Sequence, residues 1–168
     1  RISLAVGIAG VVFAGALGIA LGLVAGYFGG VVDTVIMRIA DVQLTFPAIL
    51  IALLVNGVAK SLLGNRLDEM STFGVLIIAI GLSFWVQYAR TVRGSVMVEK
   101  HKDYVAAAQL IGLPAPKIMF RHVLPNTMGP ILVIATINLA LAIITEATLS
   151  FLGAGMPDTM PSLGTLIR

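Results

Sequence analysis

Four stretches of this chain carry no charged residue: 31 positions between Arg1 and Asp33, 18 from Val42 to Ala59, 20 from Met70 to Ala89 and 23 from Val123 to Thr145. A helix crosses the hydrocarbon core of a bilayer in about 20 residues, within a range of roughly 17–25. The pattern therefore predicts four membrane-spanning helices, at about 4–28, 36–59, 70–90 and 124–146. A transmembrane β-barrel would instead show alternating segments of about ten residues, and these runs are continuous. A secretory signal peptide over 1–30 is the other reading of the first run, but the run is too long for a signal core and further spans follow it.

Composition supports the same class. The 168 residues are 58% hydrophobic and 11% charged, with a mean hydropathy of +1.03. An average soluble domain carries roughly 25% charged residues. Eleven Lys and Arg with eight Asp and Glu cannot clothe a chain of 17.6 kDa, so an ordinary soluble domain, a disordered chain and a collagen-like chain are excluded. The absence of cysteine excludes disulfides and thiolate chemistry. Two histidines give no basis for a histidine-rich metal site, and a net charge of +3 is too small to argue for nucleic acid. The sequence holds no phosphate-binding G-x-x-x-x-G-K-S/T loop, no paired carboxylates and no Ser–His–Asp set. No catalytic residue, metal ligand or resident cofactor is expected, and the chain is not read as an enzyme.

The placement of lysine and arginine sets orientation. Residues 90–122 hold Arg90, Arg93, Lys100, Lys102, Lys117 and Arg121 against Glu99 and Asp103, which puts this segment on the cytoplasmic side. The 60–69 loop, with Lys60 and Arg66 against Asp68 and Glu69, then faces outside, as do residues 147–168 and the end at Arg1. A chain starting at Arg1 in an apolar run reads as an excerpt from a longer protein.

Several features inside the spans suggest packing or pathway roles. Gly10, Ala14, Gly18, Gly22, Gly26 and Gly30 recur every four residues, a stripe that lets another helix approach closely. The seam, centred on Gly18, Gly22 and Gly26, would be internal or between subunits; the plainer reading is that glycine is common in membrane helices. Pro47 should kink the second span, as a hinge or as a static bend. Arg38 and Asp41, three apart, are expected to pair. Gln43, Asn56, Gln87 and Asn138 are the candidate pathway-lining side chains, since a polar group is costly against lipid and should face protein or water. Glu146 is either a pathway or gating carboxylate or one sitting at the outer interface.

The segment 94–126, GSVMVEKHKDYVAAAQLIGLPAPKIMFRHVLPN, is too long for a simple connection between helices. Asp103 can cap a short helix over Tyr104–Ile111, Gly112 fits a left-handed C-terminal position, and Pro114 blocks continuation. The helix is small and apolar where a loop should be polar, so it docks either on a partner or on the ends of the chain's own helices. The loop's lysines and arginines face a partner protein, anionic lipid headgroups or solvent.

The order Ala106-Ala107-Ala108, Gly112 and Leu124-Pro125 resembles the EAA loop of binding-protein-dependent ABC importer permeases. The stretches DYVAAAQLIG…RHVLPN, GYFGGVVDTVIMRIAD (26–41), the FP at 46–47 and EATLSFLGAGMPDTMPSLG (146–164) are similar to the dipeptide/oligopeptide/nickel branch, and in particular to its second, C-type permease subunit. The resemblance runs collinearly over nearly the whole chain. One departure stands out: Ala106 occupies the position of the motif glutamate.

The resemblance implies an all-α, polytopic transmembrane bundle of the type I ABC importer permease kind, with a cytoplasmic coupling helix. It implies a multi-pass protein of the bacterial inner membrane with about six spans, one preceding Arg1 and one following Arg168. Its implied partners are a homologous permease, two cytoplasmic ATPases that bind ATP and magnesium, an extracytoplasmic solute-binding protein and membrane lipid. The coupling loop would contact the ATPase through Asp103, Tyr104, Ala107, Ala108, Leu110, Gly112 and Leu113. Transported solutes would be peptides, or a related small solute such as nickel. A secondary transporter or channel subunit is the alternative, although it would call for intramembrane ion or proton ligands that are nearly absent here.

Overall fold

A computed structural model describes residues 2–63, 69–155 and 162–167. The elements are α1 (Ile2–Phe28), α2 (Gly30–Leu44), α3 (Ala48–Leu63), α4 (Glu69–Glu99), α5 (Asp103–Leu110), α6 (Ala115–Ile118), a π turn (Met119–Val123), α7 (Leu124–Asn126), α8 (Met128–Phe151) and α9 (Leu163–Ile167). Among the described residues there is no strand. In a bilayer every backbone polar group needs an internal partner, which helices supply.

Among the described residues three helices are long and apolar enough to cross a membrane: α1, Met70–Glu99 of α4, and α8. The expected second span differs from a single kinked helix. It is two helices, α2 and α3, separated by a break over Thr45–Pro47. The cause is local. The residue before a proline is disfavoured in the helical region, and α2 stops at Leu44, before Phe46 and Pro47. The Pro47 carbonyl then accepts from the N–H groups of Leu50 (2.9 Å) and Ile51 (3.3 Å) to start α3. The fourth span also shifts, with α8 starting at Met128 and not near residue 124. Of the expected outer loop, residues 64–68 lie outside the described residues, as do residues 156–161 of the 146–164 stretch.

The chain divides into two compact units. The first takes residues from 1–15, 44–85 and 135–168. Within it α1 packs closely on α4 and α8: a Cβ at Gly10 would meet the Ile80 side chain at 2.7 Å, and one at Gly7 would meet Ile143 at 3.0 Å. The Ser3 hydroxyl oxygen accepts from the Leu163 N–H (3.0 Å), fastening α9. Lys60 at the end of α3 donates to the Gly153 carbonyl (3.2 Å).

The second unit takes residues 16–43 and 86–134. Here α1 lies against α4 so tightly that a Cβ at Gly22 would sit 2.6 Å from the Ala89 carbonyl oxygen, and one at Gly26 would sit 2.8 Å from Val96 Cβ and 2.9 Å from the Arg93 carbonyl oxygen. Gly18 is buried on the same stripe. The Lys100 ammonium donates to the Gly26 carbonyl (2.9 Å), one of the orphan acceptors at the end of α1.

Two ion pairs join α2 to α4 in this unit: Asp33 with Arg93 and Asp41 with Arg90. Asp41 thus pairs across helices and not with Arg38, the partner expected from spacing alone; a guanidinium on a neighbouring helix competes with an i,i+3 contact. The Asp33 pair is the less exposed, with side chains 32% (Arg93) and 15% (Asp33) accessible against 46% (Arg90) and 51% (Asp41). Exposed pairs contribute little because water screens them. Asp33→Asn is therefore expected to cost about 1 kcal/mol and Asp41→Asn under about 0.5 kcal/mol. Thermal unfolding of the two variants in the same detergent checks the order.

Candidate functional site

The short helix α5 is the most built feature outside the spans. Alanine carries the highest intrinsic helix propensity, and α5 holds three in a row at 106–108. Asp103 is the first helical residue and not the cap. The capping position is Lys102, extended at φ −77°, ψ 151°, with no side-chain capping bond. Asp103 still suits the first turn, where a carboxylate meets the positive end of the helix dipole. At the other end Gly112 adopts φ 77°, a left-handed conformation that costs a residue with a Cβ about 1–2 kcal/mol. The Gly112 N–H bonds to the Gln109 carbonyl (3.0 Å) and the Leu113 N–H to the Ala108 carbonyl (3.1 Å), the paired closure of a Schellman motif.

An eight-residue helix is marginal alone, so its inward contacts decide where it sits. Val105 and Ala108 are buried and Tyr104 is half-buried. The Tyr104 hydroxyl donates to Glu99 Oε2 at the end of α4 (2.6 Å) and accepts from Asn126 Nδ2 in α7 (3.3 Å). Lys102 donates to the other Glu99 oxygen (2.7 Å), and Asn126 also donates to the His122 carbonyl (2.7 Å). Burial first, then the hydrogen bond to Glu99 and its charge, push the Tyr104 hydroxyl up to about 12. The neutral phenol is thus the form the fold prefers. The stability it lends is full below the ordinary tyrosine value near 10 and is lost as pH rises from there to about 12. Spectrophotometric titration of phenolate should show one fewer late-titrating tyrosine in Tyr104→Phe than in the parent.

The outward face is different. Asp103, Ala106, Ala107, Gln109 and Gly112 are exposed, and Leu110 and Ile111 are 87% and 75% accessible. Of the seven residues singled out for partner contact, Asp103, Ala107, Leu110 and Gly112 lie on this face and Leu113 is half-buried. Tyr104 and Ala108 point inward, where they seat the helix. Glu99 and Asn126, five residues before and twenty-two after Tyr104, complete the seat. No sequence period connects them, and spacing could not have found them.

The approach to α8 explains its late start. Pro125 has no N–H to give the Arg121 carbonyl, and the helix widens into the π turn just before it. The Leu124 N–H accordingly reaches back to the Met119 carbonyl.

The four candidate pathway residues divide between the two units. Gln43, half-buried, and Gln87, exposed, belong to the second unit. Asn56 and Asn138, 3% and 0% accessible, belong to the first. Asn56 Nδ2 and both polar atoms of the Asn138 side chain have no hydrogen-bond partner. Glu146 is fully buried: Oε1 accepts from the Ser150 hydroxyl (2.7 Å) and Oε2 has no partner. Among the described residues no group of His, Cys, Asp or Glu could hold a metal ion.

Comparison with known proteins agrees with this architecture. Residues 18–168 match the family described as "Binding-protein-dependent transport system inner membrane component". The chain is 37% identical over 166 residues to the oligopeptide transport system permease protein of Bacillus subtilis, covering 99% of this chain and 51% of that one. It is 35% identical over 167 residues to the dipeptide transport system permease protein of Haemophilus influenzae (99% and 53%). It is 38% identical over 168 residues to the glutathione transport system permease protein of Pectobacterium atrosepticum (100% and 52%). The chain spans about half the length of these relatives. With the family match covering all but its first 17 residues, this all-α chain belongs to the inner membrane components of binding-protein-dependent transport systems.

Proposed function

We propose that the chain is part of a permease subunit of an ATP-driven importer, and that α5 couples its spans to a cytoplasmic ATPase. The observation that carries the reading is the pairing of Leu110 and Ile111, both strongly exposed, with a seat that fixes α5 to the chain on its other face. An apolar tip presented by a rigid helix fits an apolar groove on a partner. The cations of 90–121 put this side of the protein in the cytoplasm, where an ATPase binds.

The partners are then a second permease, two ATPase subunits and an extracytoplasmic solute-binding protein. The chain lacks a phosphate-binding loop, so ATP and magnesium belong to the ATPase. The substrate class proposed is peptides, because the similar proteins are named for oligopeptide, dipeptide and glutathione transport. Energy from ATP binding would close the ATPase pair, carry the two α5 helices together and switch the path between the permeases.

The test is reconstitution of the full-length protein with its neighbouring permease and ATPases in proteoliposomes, with the solute-binding protein and a radiolabelled dipeptide outside. Uptake is expected to require ATP inside the vesicle and to survive proton and sodium ionophores. Uptake that proceeds without ATP and collapses with an ionophore would establish a secondary transporter instead.

A further inference from the structure

The hydroxyl of Tyr104 joins three elements of the chain. It donates to Glu99 on α4 at 2.6 Å and accepts from Asn126 on α7 at 3.3 Å, while Tyr104 itself stands in the first turn of α5. Glu99 is fixed in turn by Lys102, and Asn126 by the His122 carbonyl. One residue, Thr127, separates α7 from α8; it is 1% accessible and its hydroxyl donates to the Leu124 carbonyl (2.9 Å). The remaining inward contacts of α5 come from Val105 and Ala108, which are non-directional and allow sliding. A charge-assisted bond at 2.6 Å with a second bond on the same oxygen is directional and resists it.

We propose that Tyr104 is a positioning residue for coupling: through Glu99 and Asn126 it makes displacement of α5 reach α4 and α8 as one movement. This rests on the reading of α5 as the ATPase-facing helix. It assigns a specific route to that coupling, and it gives Glu99 and Asn126 a role that no motif supplied. The route does not use position 106, where alanine stands in place of the motif glutamate.

The experiment uses the full-length protein assembled with its partner permease and ATPases. These 168 residues hold no cysteine; with any cysteine elsewhere in the assembly replaced by serine, one environment-sensitive fluorophore is placed at Ile137→Cys on α8, a position 55% accessible. The readouts are ATPase capture, ATP hydrolysis and the fluorescence change on adding ATP with vanadate. Tyr104→Phe is expected to capture the ATPase as well as the parent and to hydrolyse ATP within about twofold of it, while the fluorescence change falls at least threefold. Glu99→Gln keeps an acceptor for the hydroxyl and is expected to retain more than half of the change. In a Glu99→Ala background, Tyr104→Phe is expected to add nothing further.

A full-amplitude change in Tyr104→Phe overturns the assignment, and so does a parent that shows no change at Ile137→Cys. Loss of ATPase capture in Tyr104→Phe also overturns it, since the residue would then only support the fold. Failure of the underlying reading has a separate signature: Leu110→Asp would leave ATPase capture intact.

Discussion

Changing Leu110 to aspartate is expected to abolish capture of the ATPase subunit while leaving the permease folded. Leu110 is 87% accessible, so the substitution removes no internal contact and the fold has no reason to fail. On a partner the same side chain would be an apolar anchor. A truncated anchor typically costs 2 kcal/mol or more, and an aspartate there adds the cost of desolvating an unpaired charge. Together these give about 3 kcal/mol, or roughly a 100-fold loss of affinity. Co-purification in mild detergent measures it, with thermal unfolding of the variant as the control. Capture equal to that of the parent would remove α5 from the interface.

The second large effect belongs to the seam between α1 and α4. Gly26→Leu is expected to prevent accumulation of the protein in the membrane. A Cβ there meets a β-branched side chain at 2.8 Å and a backbone carbonyl at 2.9 Å, and a carbonyl in a helix cannot rotate away. Overpacking a tight site costs about 1–3 kcal/mol even when side chains can yield. Here the helices must separate, and total stability is only about 5–15 kcal/mol. Gly74→Leu is the matched control: it is also a glycine of a span, on α4, but has nothing within 4 Å. Membrane levels by immunoblot and unfolding temperature in detergent should fall for Gly26→Leu and stay near the parent for Gly74→Leu. Equal behaviour of the two would show that the stripe is incidental.

Much of the architecture can be read from the sequence because bilayer physics makes it local. A charge-free run of sufficient length favours a long apolar helix, and α1 and α4 begin at or beside the runs that start at Ile2 and Met70, although α4 continues through Arg90 and Arg93 to Glu99. Gly112 followed by Pro114 marked the end of α5 because only glycine takes φ 77° without strain. What the sequence could not supply is whatever depends on a neighbour distant along the chain. The partner of Asp41 is Arg90, not the adjacent Arg38. Tyr104 turns inward to Glu99 and Asn126 although an ATPase contact is the simpler expectation for a tyrosine in that loop. Pro47 was visible as a bend, but the pattern of apolar residues runs straight through it and so concealed a complete break. Glu146 illustrates the same limit: its 0% accessibility cannot be read from a lone carboxylate near a helix end.

The most direct test of the coupling account is site-specific cross-linking from α5. Gln109→Cys adds a single thiol beside Leu110 on the exposed face of α5, in a chain with no other cysteine, and spares the proposed anchor. The assembled full-length transporter, with any other cysteines of its subunits replaced by serine, is labelled with a thiol-reactive benzophenone and illuminated, with Leu132→Cys on α8 as the comparison position (58% accessible). The account predicts an adduct between this protein and the ATPase subunit from Gln109→Cys and none from Leu132→Cys. An ATPase that co-purifies yet forms no adduct through Gln109→Cys, or forms it equally through Leu132→Cys, would contradict the claim that α5 is the coupling surface.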